Sequence, residues 1–358
     1  MKIPQPKISC VTASIAAVAL ALPLSVAAVA PVAAATVLVD RGWPPYAGSP
    51  FSTASSLDTS VATDAVSAGL VNITSVIGYG RGEAAGTGMV IRSNGIVVTN
   101  HHVVEGSTSV QVTVVSTGRT YRARVLGYDA TRDIAVLRLV GASDLETVAT
   151  DSSGVSVGDD VTAVGDAGGD GGALTAAAGT VTDLRHPITV ADESTGAARR
   201  LRSLIEIDAD IIPGDSGGAL LSSTGEVVGM NVAASSGSAN ITGYVIPVRR
   251  VLRIAGAVLD DDATVGAIHL GYDAFLGVSL SGSGTTLAGV LDGGAAADAG
   301  LAAGDSITSV GGTSVTTYAQ LRRAVARYAA GAQVRVGWTD TAGTSHSATL
   351  TLGRAPVA

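Results

Sequence analysis

The string IIPGDSGGAL, residues 211–220, sets Ser216 among glycines, the surroundings an acyl-transfer nucleophile needs. A serine hydroxyl attacks a carbonyl only when a base takes its proton and a third group fixes the base's tautomer. It also needs backbone N–H donors facing the developing oxyanion. Gly214 permits the backbone twist that turns its own N–H and that of Ser216 into one hole, while Gly217 and Gly218 leave room for a substrate. Two near-copies in the same chain serve as controls. VGDAGGDGGAL at 164–174 carries Ala167 where the nucleophile would stand, and AAGDSITSV at 302–310 lacks the following glycines. Composition alone makes such strings, so the partners must be found elsewhere.

Five histidines are available as the base: His101, His102, His186, His269 and His346. His101 and His102 follow the strand-like GIVVTN, whose end can present a side chain to a cleft, and spacing alone does not choose between them. His186 precedes Pro187 in a loop reading, and the last two fall in a linker and a terminal unit. For the orienting acid, Asp133 heads the apolar run IAVLRL, which puts a carboxylate at the mouth of a core. Asp129, Asp144 and Asp151 read as turn residues. No spaced Cys or His cluster suggests a metal site, and no motif calls for a cofactor.

These groups need elements to hold them. From 61 to 259 the chain is a succession of short apolar runs separated by Gly, Asp, Asn and Ser, with Asn94-Gly95 marking a hairpin. Many short strands at regular spacing mean an all-β barrel or sandwich, closed by a helix at 249–259. Residues 260–274 read as a linker to a smaller α+β unit at 275–356, whose helix around 318–328 would bury Tyr318, Leu321, Val325 and Tyr328.

At 358 residues the chain has room for two or three domains. A net charge of −8 without Lys/Arg runs argues against a nucleic-acid partner. Only 3% of residues are aromatic, so the core is expected to be built from small and β-branched side chains. Residues 1–35 read as a cleaved export signal: Lys2 and Lys7, an apolar stretch at 11–30, and small residues ending near Ala35. An uncleaved membrane anchor is the competing reading. Cys10 is the only cysteine, so the mature chain would have no disulfide. Residues 36–60 read as a flexible linker whose Trp43, Tyr46 and Phe51 are compatible with a homotrimer.

TNHHVV at 99–104, GYDATRDIAVLRL at 127–139 and PGDSGG at 213–218 follow in the order His, Asp, Ser. Together they resemble the HtrA/DegP family of exported bacterial serine proteases, in the arrangement of the secreted single-PDZ members from actinobacteria. The resemblance implies a mostly β fold: a chymotrypsin-like double β-barrel protease domain followed by a small PDZ domain. Matched to the family's strings, His102 becomes the base, Asp133 the orienting acid and Ser216 the nucleophile, with Gly214 and Ser216 forming the oxyanion hole. FLGV at 275–278 stands where PDZ domains bind a peptide carboxylate, through Leu276, Gly277 and Val278. The function implied is hydrolysis of unfolded or misfolded polypeptides, with peptide C-termini as PDZ partners. A catalytically dormant peptide-binding protein is the alternative.

Departures from the family pattern carry expectations of their own. Asp215 replaces the family's more frequent Asn; without an activation site upstream, it should be paired locally or solvated. Asp210 lies six residues before Ser216, where trypsin-like enzymes place the acid at the base of the specificity pocket. A pocket of Asp210, Ile211, Asn231, Val232 and Ala233, with the neutral MNVAASS wall, favours apolar, medium-sized P1 residues. Asp210 keeps a basic P1 as the competing reading. The loop around Arg81, Gly82 and Glu83 is short, which leaves out the large regulatory insertion of some family members.

Overall fold

Strict alternation of apolar and polar residues dominates the middle of the chain. In the strand Ser107–Val114, Val110, Val112 and Val114 are buried while Ser109, Gln111 and Thr113 face outward, the signature of a sheet with one face on a core. The computed structural model describes residues 37–38, 59–79, 82–191, 198–234 and 242–357. The export segment 1–35, the aromatics Trp43, Tyr46 and Phe51, Arg81 and residues 235–236 of the neutral wall lie outside the described residues.

Such strands close into two barrels. In the first, the antiparallel order runs Thr120–Asp129, Ser107–Val114, Leu70–Ile77, Gly82–Arg92, Ile96–Thr99, Ile134–Leu139, and the last strand pairs back with Thr120–Asp129. The second runs Thr175–Ala191, Ala198–Ile207, Gly243–Pro247, Val227–Ala234, Ala219–Ser222, Asp160–Gly165, again closed by pairing of its ends. Closure removes the exposed edges an open sheet would leave. Asn94-Gly95 makes the expected tight turn, with Gly95 at φ +87° and its N–H on the Arg92 carbonyl.

One core cluster spans both barrels. Leu70, Met89, Ile96 and Ile134 of the first meet Val164, Leu204, Met230 and Ile246 of the second, and the helix Val248–Leu259 inserts Val251, Ile254 and Val258 beside them. Nearly all of these side chains are aliphatic, as the aromatic-poor composition implies, and each contributes roughly 1.5–3 kcal/mol by leaving water. The seam between barrels is therefore rigid, and it is where the site lies.

The third unit has its own core, with Leu276, Leu287, Ile307, Leu321, Val336, Trp338 and Leu350 between a four-stranded sheet and the helix Tyr318–Val325. Within that helix Leu321 is buried but Tyr318 is 51% exposed, which corrects the sequence reading of the apolar face. Tyr318 is the first helical residue, held at the end by the Thr317 cap, and so lies beyond the core.

The segment read as a linker is more structured than its composition suggests. Ile268–Leu270 pairs antiparallel with Gly127–Asp129 of the first barrel, and Val357 inserts into that barrel's core while exchanging hydrogen bonds with Gly106 and Ser107. Tyr79, at the tip of a barrel hairpin, stacks on Phe275 with centroids 5.9 Å apart. Val37–Leu38, in the stretch read as flexible, pairs with Val190 and Thr189.

Candidate active site

TNHHVV leaves the strand Ile96–Thr99 and becomes a single helical turn, His101–Val104. The turn separates the adjacent histidines. His101 is fully buried and stacks on Tyr128 at 4.6 Å, whereas His102 faces the seam. His102 Nδ1 is 2.8 Å from Asp133 Oδ2, and the His102 backbone N–H donates to Asp133 Oδ1 at 2.9 Å. Both carboxylate oxygens thus hold the same residue, fixing ring orientation and leaving Nε2 directed away from the acid.

Asp133 reaches this position through an unusual backbone. Its φ is +58°, in the left-handed region that non-glycine residues rarely occupy. Three contacts sustain it. Asp129, buried beneath the preceding turn, accepts hydrogen bonds from the Thr131 hydroxyl and the Arg132 N–H, and pairs with the Arg132 guanidinium. Asn100 Nδ2 donates to the Asp133 carbonyl at 3.0 Å. Arg199, from the other barrel, brings Nη1 to 3.6 Å from Asp133 Oδ1 while pairing with Glu105 at 3.0 Å.

The electrostatics follow from this packing. Burial alone would raise the Asp133 carboxyl, but the His102 charge and its two hydrogen bonds reverse that and hold it at about 2. For His102, burial works against the imidazolium; Asp133, by charge and hydrogen bond, overcomes it, and the net direction is upward. Arg199 opposes that rise and Glu105 assists it.

Ser216 sits in a turn clamped from several sides. Gly214 and Gly217 adopt φ of +99° and +85°. A Cβ at Gly214 would lie 2.0 Å from the Asp166 carbonyl oxygen, and one at Gly217 2.0 Å from that of Thr87. Thr87 donates its hydroxyl to the Gly214 carbonyl and accepts the Asp166 N–H, both at 2.9 Å, while its own N–H donates to the Ser216 carbonyl. Gly86 lets the His102 turn and the Ser216 turn meet: a Cβ there would be 2.7 Å from Val103 and 3.1 Å from the Ser216 carbonyl oxygen. Among the described residues, the Gly214 and Ser216 N–H groups donate to no protein acceptor. The Ser216 hydroxyl donates to the Val232 carbonyl at 3.2 Å, not to His102.

The near-copy at 164–174 is the wall of this turn. Gly168 N–H donates to the Pro213 carbonyl, and Gly165 abuts Asp215 so closely that a Cβ would meet its Cα at 2.6 Å. Asp215 itself is buried rather than solvated, and of the expected local pairing only one half is made. Oδ2 accepts the Ile212 N–H at 2.9 Å, but Oδ1 has no partner. Burial pushes the carboxyl up to about 7, and the nearby Asp166 charge adds to the rise despite the Ile212 hydrogen bond.

The remaining expected residues are placed unequally. Asp210 is half-buried beside Ile211, whose side chain lies wholly in the second barrel's core. Asn231 is fully buried with its amide on the Val164 and Ala219 carbonyls, holding strands together. Val232 offers its carbonyl to Ser216, and Ala233 is its neighbour on the same strand. In the third unit Leu276 is buried, Gly277 has φ +77°, and Val278 begins a strand paired with Leu287–Val290. The Leu276 and Gly277 N–H groups have no protein acceptor among the described residues. Thr87, Asn100, Glu105 and Arg199 were not legible as site residues in the sequence; TN before the histidines was the one available signal.

Residues 86–230 match the family described as trypsin-like peptidase domain, and residues 286–339 match PDZ domain. The chain is 34% identical over 299 residues to serine protease PepD of Mycobacterium tuberculosis, covering 77% of this chain and 62% of that protein. It is 33% identical over 270 residues to the periplasmic pH-dependent serine endoprotease DegQ of Escherichia coli, covering 71% and 56%. To serine protease Do-like HtrA of Lactococcus lactis it is 34% identical over 265 residues, covering 67% and 64%. The chain thus spans roughly three-fifths of the length of these relatives.

Proposed function

With a trypsin-like peptidase domain followed by a PDZ domain, this chain is a relative of the HtrA-type serine proteases, and on that premise we propose that it is an exported serine endopeptidase acting on unfolded or misfolded polypeptides. The observation that carries the reading is the His102–Asp133 pair at 2.8 Å, together with the glycine-flanked Ser216 turn packed against it across Gly86. His102 Nε2 takes the Ser216 proton as Oγ attacks the scissile carbonyl. The oxyanion is received by the Gly214 and Ser216 N–H groups, and Asp133 stabilises the imidazolium. His102 then protonates the leaving amine, leaving an acyl-enzyme that a water, deprotonated by His102, hydrolyses.

Apolar, medium-sized P1 side chains are expected in a pocket entered past the 231–233 backbone, with Asp210 as the group that would favour a basic P1 instead. At the PDZ unit a peptide C-terminus adds beside Val278–Leu280, its carboxylate on the Leu276, Gly277 and Val278 N–H groups. Export is supported by the periplasmic description of DegQ and by the charge and apolar pattern of residues 1–35.

One observation favours a second, resting state of the same protein. Because the Ser216 hydroxyl is turned toward Val232, it must rotate to reach His102 before attack, which supports a resting state that a bound peptide would relieve. The test is labelling by a fluorophosphonate and hydrolysis of casein, with and without peptides ending in apolar residues, for the native chain and Ser216→Ala. Labelling of the native chain alone is expected. Absence of both labelling and hydrolysis under every condition refutes the enzyme reading.

A further inference from the structure

The hairpin of Thr175–Ala191 and Ala198–Ile207 carries a feature the proteolytic reading does not use. In a regular strand, residues three apart point to opposite faces, yet Asp183 and His186 converge. The pairing slips between Val181 and Asp183, between Leu184 and His186, and between His186 and Ile188. Arg185 adopts φ +68° and Ser203 on the facing strand φ +56°, while Pro187 removes a ladder donor within the irregular stretch. The inserted residue rotates His186 onto the face of Asp183, and bulges of this kind serve to re-aim a side chain. Glu206, the direct cross-strand partner of Asp183, completes the group.

Two carboxylates directly opposite one another repel unless a cation lies between them. Here His186 Nδ1 is 3.3 Å from Asp183 Oδ2 and 2.9 Å from Glu206 Oε2, and the three atoms all lie within 4.8 Å of one another. A tetrahedral zinc with bonds of about 2.0–2.2 Å separates its ligands by roughly 3.3–3.6 Å, a spacing the His186–Asp183 pair already has and the other two pairs reach by small side-chain rotations. The oxygens facing away are already engaged: Asp183 Oδ1 accepts the Leu184 N–H at 2.7 Å and Glu206 Oε1 accepts the Thr182 hydroxyl at 3.1 Å. Such outer hydrogen bonds orient a carboxylate ligand, and the His186 ring rests against Tyr244 at 5.3 Å. Asp183 is more than half exposed, which leaves a fourth position open to water.

We propose that Asp183, His186 and Glu206 form a zinc-binding site that braces this hairpin. One imidazole with two carboxylates selects a borderline ion such as Zn²⁺ over Ca²⁺ or Mg²⁺. The brace has a place to act, because the same hairpin delivers Arg199 to Asp133 and Glu105.

The experiment titrates Zn²⁺, and separately Co²⁺, into the full chain bearing Ser216→Ala. Binding at one ion per chain and visible Co²⁺ bands of tetrahedral intensity are expected, with Ca²⁺ failing to compete. His186→Gln should lose about tenfold or more in affinity and abolish the bands, whereas His346→Gln and His269→Gln should leave both unchanged. If His186→Gln unfolds, Asp183→Asn gives the same comparison at an exposed position. Absence of saturable binding, in which case the cluster holds only a proton, overturns the proposal. So does binding unaffected by either ligand substitution, or Ca²⁺ bound more tightly than Zn²⁺.

Discussion

Replacing Asp215 by Asn should stabilise this protein, and by an amount that grows with pH. Asp215 is 5% exposed, its Oδ1 has no partner, and its carboxyl is pushed up to about 7 by burial, with Asp166 adding to the rise. Between the ordinary value of 3.8 and about 7, the folded chain keeps a proton that the unfolded chain releases. Stability therefore falls as pH climbs through that window, and the loss is complete above it. The gap corresponds to about 4 kcal/mol at full burial; water entry and small shifts of the turn reduce the expected gain to roughly 1–3 kcal/mol, within the range for an unpaired buried polar group. Asn keeps the carbonyl oxygen that accepts from Ile212 and carries no charge at any pH. Urea denaturation of the Ser216→Ala chain, with and without Asp215→Asn, should give nearly equal stabilities at about pH 4 or below, an advantage for Asn that grows as pH rises, and its full size in mild base. A difference independent of pH, or an Asn chain less stable in base, would refute the reasoning.

Other outcomes follow from the same contacts. Asp133→Asn should lower kcat by about 10⁴ through loss of the correct His102 tautomer, measured on a peptide ester, with little change in KM. Thr87→Val leaves the buried Asp166 N–H without its acceptor and releases the Gly214 carbonyl, so it should cost about 1–3 kcal/mol in denaturation and lower kcat as well. Arg199→Gln removes a charge that opposes His102 protonation. The acid limb of kcat/KM should move to higher pH, and a shift the other way would sink the assigned sign. Val357→Ala removes part of a buried side chain in the first barrel's core and should destabilise the chain by about 1 kcal/mol or more in calorimetry.

The sequence made the barrels legible because alternation and turn residues are local signals: Val110, Val112 and Val114 announce their strand, and Asn94-Gly95 its hairpin. The three strings around His102, Asp133 and Ser216 could be picked out for the same reason. What holds those residues was not legible, since it depends on pairs far apart in the chain. Thr87 meets Gly214 across 127 positions, and Asn100 meets Asp133 across 33. Neither threonine nor asparagine differs in type from the many that merely decorate strands. The burial of Asp215 is not legible because its neighbours in sequence are polar or small, while its neighbours in space are the backbone of Gly165 and the rest of the 164–174 loop. Pro187 makes His186 read as a loop residue, and only the ladder shows the slip in register that turns it toward Asp183 and Glu206.

The three-residue strand Ile268–Leu270 also sets how the third unit can respond to load. A unit hung on a slack tether swings in proportion to any push. One sewn to a barrel by a short ladder, with Val357 as a second stitch, stays put until both seams give and then releases at once. Such a joint behaves as a fuse rather than a spring: were the third unit to take a peptide as proposed, freeing it from the first barrel would require both seams to break.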